Sequence, residues 1–176
     1  YNEEPEMLIR TIEHVVKLDY PHFELIILEN NTKDPAIWKP VEEFVEKLNL
    51  SHIRFYHFEG IQGYKSGALN KALELTDPRA EIIGLLDADY CVHPDWLEKT
   101  IGLFDNQEIS AVQCPQANET EGATMFQKIM CYELDLFYKQ GMIIRNGANA
   151  VIMNGTMCLI RHKILKKEQW CEGFIC

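Results

Sequence analysis

Apolar and polar positions recur along this chain at two periods, and the alternation between them lays out its elements. After Glu4-Pro5, the residues Leu8, Ile12, Val15 and Val16 return at helical spacing, with proline at a permissive first position and Tyr20-Pro21 as the stop. Phe23–Asn30, FELIILEN, is a short apolar run of the kind a buried strand needs. Asp34-Pro35 supplies an N-cap and a first-turn proline for a second helix, whose apolar face is Ile37, Val41, Phe44, Val45 and Leu48. Pro40 comes late in that helix and predicts a kink. Ile53–Phe58 is a second strand, and GYKSGALNKALEL is a glycine-flanked turn running into a helix. EIIGLLDAD, Glu81–Asp89, is the strongest strand in the chain, followed by a helix over PDWLEKTIGLF. Ile109–Gln116 reads as a strand. Phe126, Ile129, Met130, Leu134 and Phe137 mark a long helix, and Ala150–Ile160 gives two short strands broken at Asn154-Gly155.

Strands separated by helices of this length need crossover connections, which predicts an α/β fold with a mostly parallel sheet, in one domain over residues 1–176. In open sheets of this class, ligands collect beyond the carboxyl ends of the strands. The polar clusters fall there. Glu29 and Asn30 end one apolar run, Asp87 and Asp89 another, and Gln113 and Gln116 follow a third. Tyr1, Asn2 and Glu3 precede the first helix, where an earlier strand would have ended.

Composition changes this picture little. Hydrophobic residues make up 47% and charged residues 25%, as in ordinary globular domains, so disorder is not expected. The net charge of −10 argues against nucleic acid and anionic membranes as general partners, because phosphate surfaces reward Lys and Arg. Six cysteines are scattered without zinc spacing and read as reduced thiols. No leader opens the chain and no apolar run of membrane-spanning length crosses it, so the piece reads as soluble. It starts at Tyr1 without Met and closes inside an apolar segment, which reads as part of something longer.

The candidate chemistry sits at Asp87-Ala88-Asp89. In an extended chain, alternate side chains share a face, so both acids point one way. Two carboxylates so placed repel each other unless a cation pairs them. Mg²⁺ or Mn²⁺ takes one or two carboxylates and completes its shell with water and phosphate oxygens, which suits a diphosphate. The plainer alternative is a turn in which Asp89 caps the next segment. Lys65 lies between Gly63 and Gly67 at a helix start, where amides favour anions, or it is a solvated lysine in a glycine turn. The sequence holds no P-loop, no GxGxxG, no HExxH and no GxSxG. The six histidines read as surface or packing residues, and Trp38 and Trp96 as packing.

These segments together resemble family 2 glycosyltransferases with the GT-A fold, on the membrane-bound, processive, cellulose-synthase-like branch. YNEEPEML is similar to the family's opening motif, IILENNTKD stands in place of a more aspartate-rich second motif, and GYKSGALNKAL is similar to its Lys-Gly-Asn segment. LLDADY matches the DxD, VQCPQ the VQxP strand, and NGTMCLIRHKIL the small-residue strand and the segment after it. The resemblance implies a Rossmann-like, mostly parallel sheet with helices on both faces, incomplete at both ends. It implies that Tyr1, Glu3, Glu29, Lys65 and Asp87 meet the donor nucleotide and that Asp89, with Asp87, meets Mg²⁺ or Mn²⁺. Gln113, Asn154, Gly155 and Thr156 should border the donor sugar and acceptor.

The activity so implied is inverting transfer of a sugar from a UDP-sugar, UDP-glucose by analogy, to a growing glycan. The full-length protein would sit at the cytoplasmic face of a bacterial inner membrane, embedded through flanking helices. QWCEGFIC resembles the approach to the family's TED motif, so the general base is expected just after Cys176, and the later QxxRW motif is absent. The chain is then a catalytic-domain fragment that keeps the donor and metal residues and transfers no sugar by itself. Glu172 is the one nearby acid. Two rivals remain: a nucleotide-binding module without catalysis, suggested by Glu29-Asn30 in place of two acids, and a haloacid-dehalogenase-type phosphatase with Asp87 as nucleophile.

Overall fold

Prolines and short polar residues set the ends of the first elements. In a computed structural model describing residues 1–117 and 122–172, helix α1 (Pro5–Val16) starts at the expected proline and buries Thr11, Ile12 and Val15. Helix α2 (Pro35–Leu48) is capped by Asp34, whose carboxylate accepts from the Ala36 amide at 2.9 Å. It ends at Asn49, which takes a left-handed φ of 50°. Pro40 does not end the helix. The exposed ring removes one amide from the helical ladder, and the helix continues to Leu48.

The chain divides into two compact units. The first comprises Tyr1–Ile83, Ala88–Ser110 and the residues from Arg161 onward. Strands β1 (Leu25–Asn30) and β2 (Ile53–Phe58) pair in parallel there, in a register that sets Leu25 opposite Ile53 and Glu29 opposite His57. Ile12, Ile27, Val41, Val45 and Ile53 form a buried cluster, with Leu8, Val16, Phe44 and Phe55 packed around it. The apolar stripes read from the sequence for α1 and α2 thus close on this sheet. Helix α3 (Tyr64–Leu75) follows the glycine turn, and helix α4 (Trp96–Ile101) gives way to a 3-10 turn at Gly102–Asp105. Helix α7 (His162–Lys167) had no periodic signal of its own. It is preceded by the buried Arg161, whose guanidinium donates to the carbonyls of Phe104, Asn106 and Ile109 at 2.7, 3.0 and 2.7 Å. A buried charge is tolerable only with such a set of acceptors.

The second unit comprises Gly84–Asp87 and Ala111–Ile160. A three-stranded sheet has the order β3-β5-β4, built from β3 (Ile82–Leu85), β4 (Ala111–Gln113) and β5 (Cys158–Arg161), with β4 and β5 antiparallel. Of the two strands expected in Ala150–Ile160, only the one after Asn154-Gly155 forms; Ala150–Met153 is irregular and exposed. The long helix is present in three parts: α5 (Met125–Leu136), a π-helical turn (Phe137–Gly141) and α6 (Met142–Gly147). A capping box between Thr124 and Gln127 opens it. None of α5 is buried, and Met125, Phe126, Ile129, Tyr132 and Leu136 are exposed, so its apolar pattern is uncovered. No disulfide joins the described cysteines, and no described helix is long and apolar enough to cross a membrane.

Ile12 is 1% exposed at the centre of the first unit's core. Ile12→Ala is expected to lower stability by about 2–5 kcal/mol, through lost transfer energy and the cavity left behind. Ile144→Ala in α6, at 74% exposure, should change it by less than about 0.5 kcal/mol. Urea midpoints of the two variants check this.

Candidate functional site

Strand β3 ends at Leu85, and Ala88 and Asp89 lie in a turn. Neither acid of the DxD therefore lies in the strand, and the alternation of an extended chain does not set their directions. The turn has a specific cause. The Thr11 hydroxyl on α1 donates to the Ala88 carbonyl at 2.6 Å, capturing the residue between the acids. Further along, His14 Nδ1 lies 3.3 Å from the Val92 carbonyl, and the Asp19 amide donates to Pro94 at 2.8 Å. Segment 88–94 is thus tied to α1 and the chain leaving it. Asp89 is exposed and Asp87 half-buried.

At the ends of β1 and β2 a second group forms. The Glu29 carboxylate is 7% exposed and both its oxygens are engaged. One accepts from the Thr32 hydroxyl, and the other lies 2.5 Å from His57 Nδ1. The His57 ring stacks on Trp38 at 4.3 Å between centroids. Thr32, with no exposed surface, also accepts from the Asn2 amide at 2.8 Å, which brings the segment carrying Tyr1 and Glu3 to Glu29. Asn31 closes the group by exchanging two bonds with the backbone of Ile61 at 2.8 and 3.1 Å. Tyr1, Glu3 and Lys65 are all exposed, Lys65 in the first turn of α3. Sequence reasoning took His57 and Trp38 for packing residues. The parallel register, which pairs Glu29 with His57, is the signal that could have found them.

In the second unit, the expected sugar-side residues converge. The Asp87 amide donates to the Thr156 hydroxyl at 2.9 Å. The Gln113 side chain donates to the carbonyls of Cys114, Thr156 and Met157 at 3.0, 3.0 and 3.2 Å, and accepts from the Asn154 amide at 2.8 Å. Asp87, Gln113, Asn154 and Thr156 therefore belong to one hydrogen-bonded group, with Gly155 inside the turn it holds. Tyr138 carries no motif or periodic signal that would single it out. Placed by the π-helical turn and 6% exposed, its hydroxyl accepts from the Asn154 side chain at 2.5 Å. Turns of this kind recur at functional sites. Burial pushes the Tyr138 phenol above its ordinary value, against the opposing effect of the Asn154 bond.

Among the described residues, no three His, Cys, Asp or Glu side chains gather as a metal-ligand set. The donors at Asp87 and Asp89 are hard carboxylate oxygens. They fit a Mg²⁺ or Mn²⁺ ion that takes two protein ligands at most and draws the rest from water and phosphate. The general base expected after Cys176, and residues 173–176 themselves, lie outside the described residues.

Residues 1–168 match the family described as Glycosyl transferase family 2. The chain is similar to the beta-monoglucosyldiacylglycerol synthases of Synechocystis sp. and Trichormus variabilis. Each is 29% identical over 160 residues, covering 88% of this chain and 32% and 33% of those proteins. It is also similar to the hyaluronan synthase of Streptococcus pyogenes, 25% identical over 169 residues, covering 96% of this chain and 39% of that one. The chain thus spans about a third of the length of the curated relatives it matches.

Two outcomes follow from the geometry. His57→Ala strips one partner from a buried carboxylate and should destabilise the first unit by about 1–3 kcal/mol, read from denaturant midpoints. Tyr138 has a raised value in the fold, so its neutral form contributes stability that is present below the unfolded value of 10.0 and lost as pH rises through the folded one. A series of urea midpoints across that alkaline window should fall for wild type, and fall less for Tyr138→Phe.

Proposed function

The chain belongs to glycosyl transferase family 2, and from that premise we propose that it is the donor-binding part of an enzyme that moves a sugar from a UDP-sugar to a glycan or lipid acceptor. Supporting this is the bond from the Asp87 amide to the Thr156 hydroxyl. It joins the first acid of the DxD to the Gln113–Asn154–Thr156 group, so the residue assigned to the nucleotide sugar shares one bonded network with those assigned to the sugar. The relatives named above support both acceptor classes, since by name one makes a monoglucosyldiacylglycerol and the other hyaluronan.

The roles follow from charge and placement. Cleaving the bond between sugar and diphosphate leaves negative charge on the leaving group. A divalent cation, when bound, supplies Lewis-acid stabilisation of that charge. Asp89, exposed on its turn, would hold the cation from the protein side, with Asp87 as its partner. Lys65 adds positive charge at the start of α3 toward the nucleotide. Tyr1 and Glu3 flank the base and ribose. Glu29 acts on the base side through the Thr32 and His57 group rather than as a bare carboxylate, because both its oxygens already have partners. Gln113 fixes the Asn154-Gly155-Thr156 turn that borders the sugar and acceptor. The proton acceptor for the attacking hydroxyl belongs to the segment beyond Cys176, in a protein anchored at the cytoplasmic face of a membrane, with UDP-glucose as donor and attack from the opposite face inverting the anomeric centre.

Calorimetry with UDP, with and without Mn²⁺, tests the binding half. Binding should require the metal, and Asp89→Ala should abolish that requirement together with most of the affinity. In the longer protein, Asp89→Ala should lower turnover of UDP-glucose by roughly 100-fold or more. Metal-independent UDP binding that survives Asp89→Ala would overturn the assignment of the metal. Metal-dependent binding without turnover in the longer protein would point to the non-catalytic module.

A further inference from the structure

The Lys-Gly-Asn segment on α3 contains a residue whose side chain is bonded to the C-terminal segment. Asn70 is 9% exposed and faces the C-terminal segment. Its amide donates to the Trp170 carbonyl at 2.9 Å and to Glu172 Oε1 at 2.7 Å, and its carbonyl accepts from the Trp170 amide at 3.0 Å. Donor and acceptor on one side chain thus mimic the two-way exchange of a strand pair. Residues 170–172 follow α7 with no helix or strand of their own.

The pattern around Asn70 suits this contact. Gly63, Gly67 and Asn70 recur at helical spacing and share one side of α3. A Cβ on Gly63, already at a φ of +81°, would meet the Glu172 Cβ at 2.7 Å, and one on Gly67 would meet the Gln62 carbonyl at 1.7 Å. The glycines leave room for the C-terminal segment and for the preceding turn to lie on the helix. Lys65 occupies another side, exposed. The sequence pattern read as a phosphate cradle therefore has a second use.

We propose that Asn70 is a positioning residue: its paired amide bonds hold Trp170–Glu172 against the Gly63–Lys65 turn, and so fix where Lys65 meets the diphosphate as charge develops on it. This rests on the function proposed above for the role of Lys65; the clamp itself stands on geometry alone. Two measurements on the longer protein separate the two. Hydrogen exchange at the Trp170 amide reads the clamp. UDP release from UDP-glucose with Mn²⁺ reads the function.

Asn70→Ala should speed Trp170 exchange at least tenfold while amides in β1 and β2 keep their rates. It should also lower kcat at least tenfold with the KM for UDP-glucose changed less than threefold. Glu172→Ala, at an exposed position, removes one of the bonds and should move both readouts in the same direction by a smaller factor, which keeps the test intact if Asn70→Ala fails to fold. Val45→Ala, a core variant of comparable destabilisation, should leave kcat within threefold. Unchanged Trp170 exchange in both site variants overturns the clamp. Faster exchange with kcat unchanged, or kcat falling equally in Val45→Ala, overturns the positioning role. A wild type that turns over no UDP-glucose sinks the functional reading and leaves the clamp to be decided by exchange.

Discussion

Side-chain amides stand in for backbone partners in this protein where its strands and helices stop. Asn31 exchanges two bonds with Ile61 just past the ends of β1 and β2. Asn70 does the same for Trp170, and Gln113, at the end of β4, binds four backbone groups around Thr156. Each amide carries both a donor and an acceptor, so it can replace a missing strand partner in both directions. Buried backbone groups beyond a sheet otherwise go unpaired, at a cost of about 1–3 kcal/mol each. The irregular segments that carry the candidate site depend on these three residues for their shape.

The same device explains why polar residues collect there without forming a conventional cluster of catalytic acids. Glu29 is buried and fully partnered, which makes it a fixed part of the scaffold with a charge-bearing side chain at its centre. Hydroxyls take the remaining roles. Thr32 links Glu29 to Asn2, Thr156 receives the Asp87 amide, and Thr11 holds Ala88. Networks of this kind are strong when every member is satisfied and costly when one is lost.

Much of the fold could be read from the sequence because local signals agreed with tertiary ones. Pro5 and Asp34-Pro35 mark true helix starts, and Ile12, Val41 and Val45 of the predicted stripes are core residues. The failures have physical reasons. Leu86 continues an apolar run, yet β3 stops at Leu85 because the chain is turned aside by a hydroxyl from a distant helix, which no local pattern encodes. Val151, Ile152 and Met153 have strand character but no partner strand among the described residues, so propensity alone did not suffice. Of the site, the residue types and their order were legible. Their partners were not: His57 enters through parallel register, Tyr138 through a π-helical turn, and Trp170 through a contact spanning a hundred residues.

Helix α1 has one further consequence. It begins directly after Tyr1–Glu3, and its Thr11 grips Ala88. Six residues of helix separate Pro5 from Thr11, about 9 Å of axial rise at 1.5 Å per residue. A helix of this length barely stretches, so it works as a ruler. The residues proposed for the base and the turn that carries Asp89 are spaced by a count of residues rather than by adjustable loops. Inserting or deleting a residue within that first stretch would rotate Thr11 by about 100° and shift it by about 1.5 Å, changing the gauge of the site without touching any side chain in it.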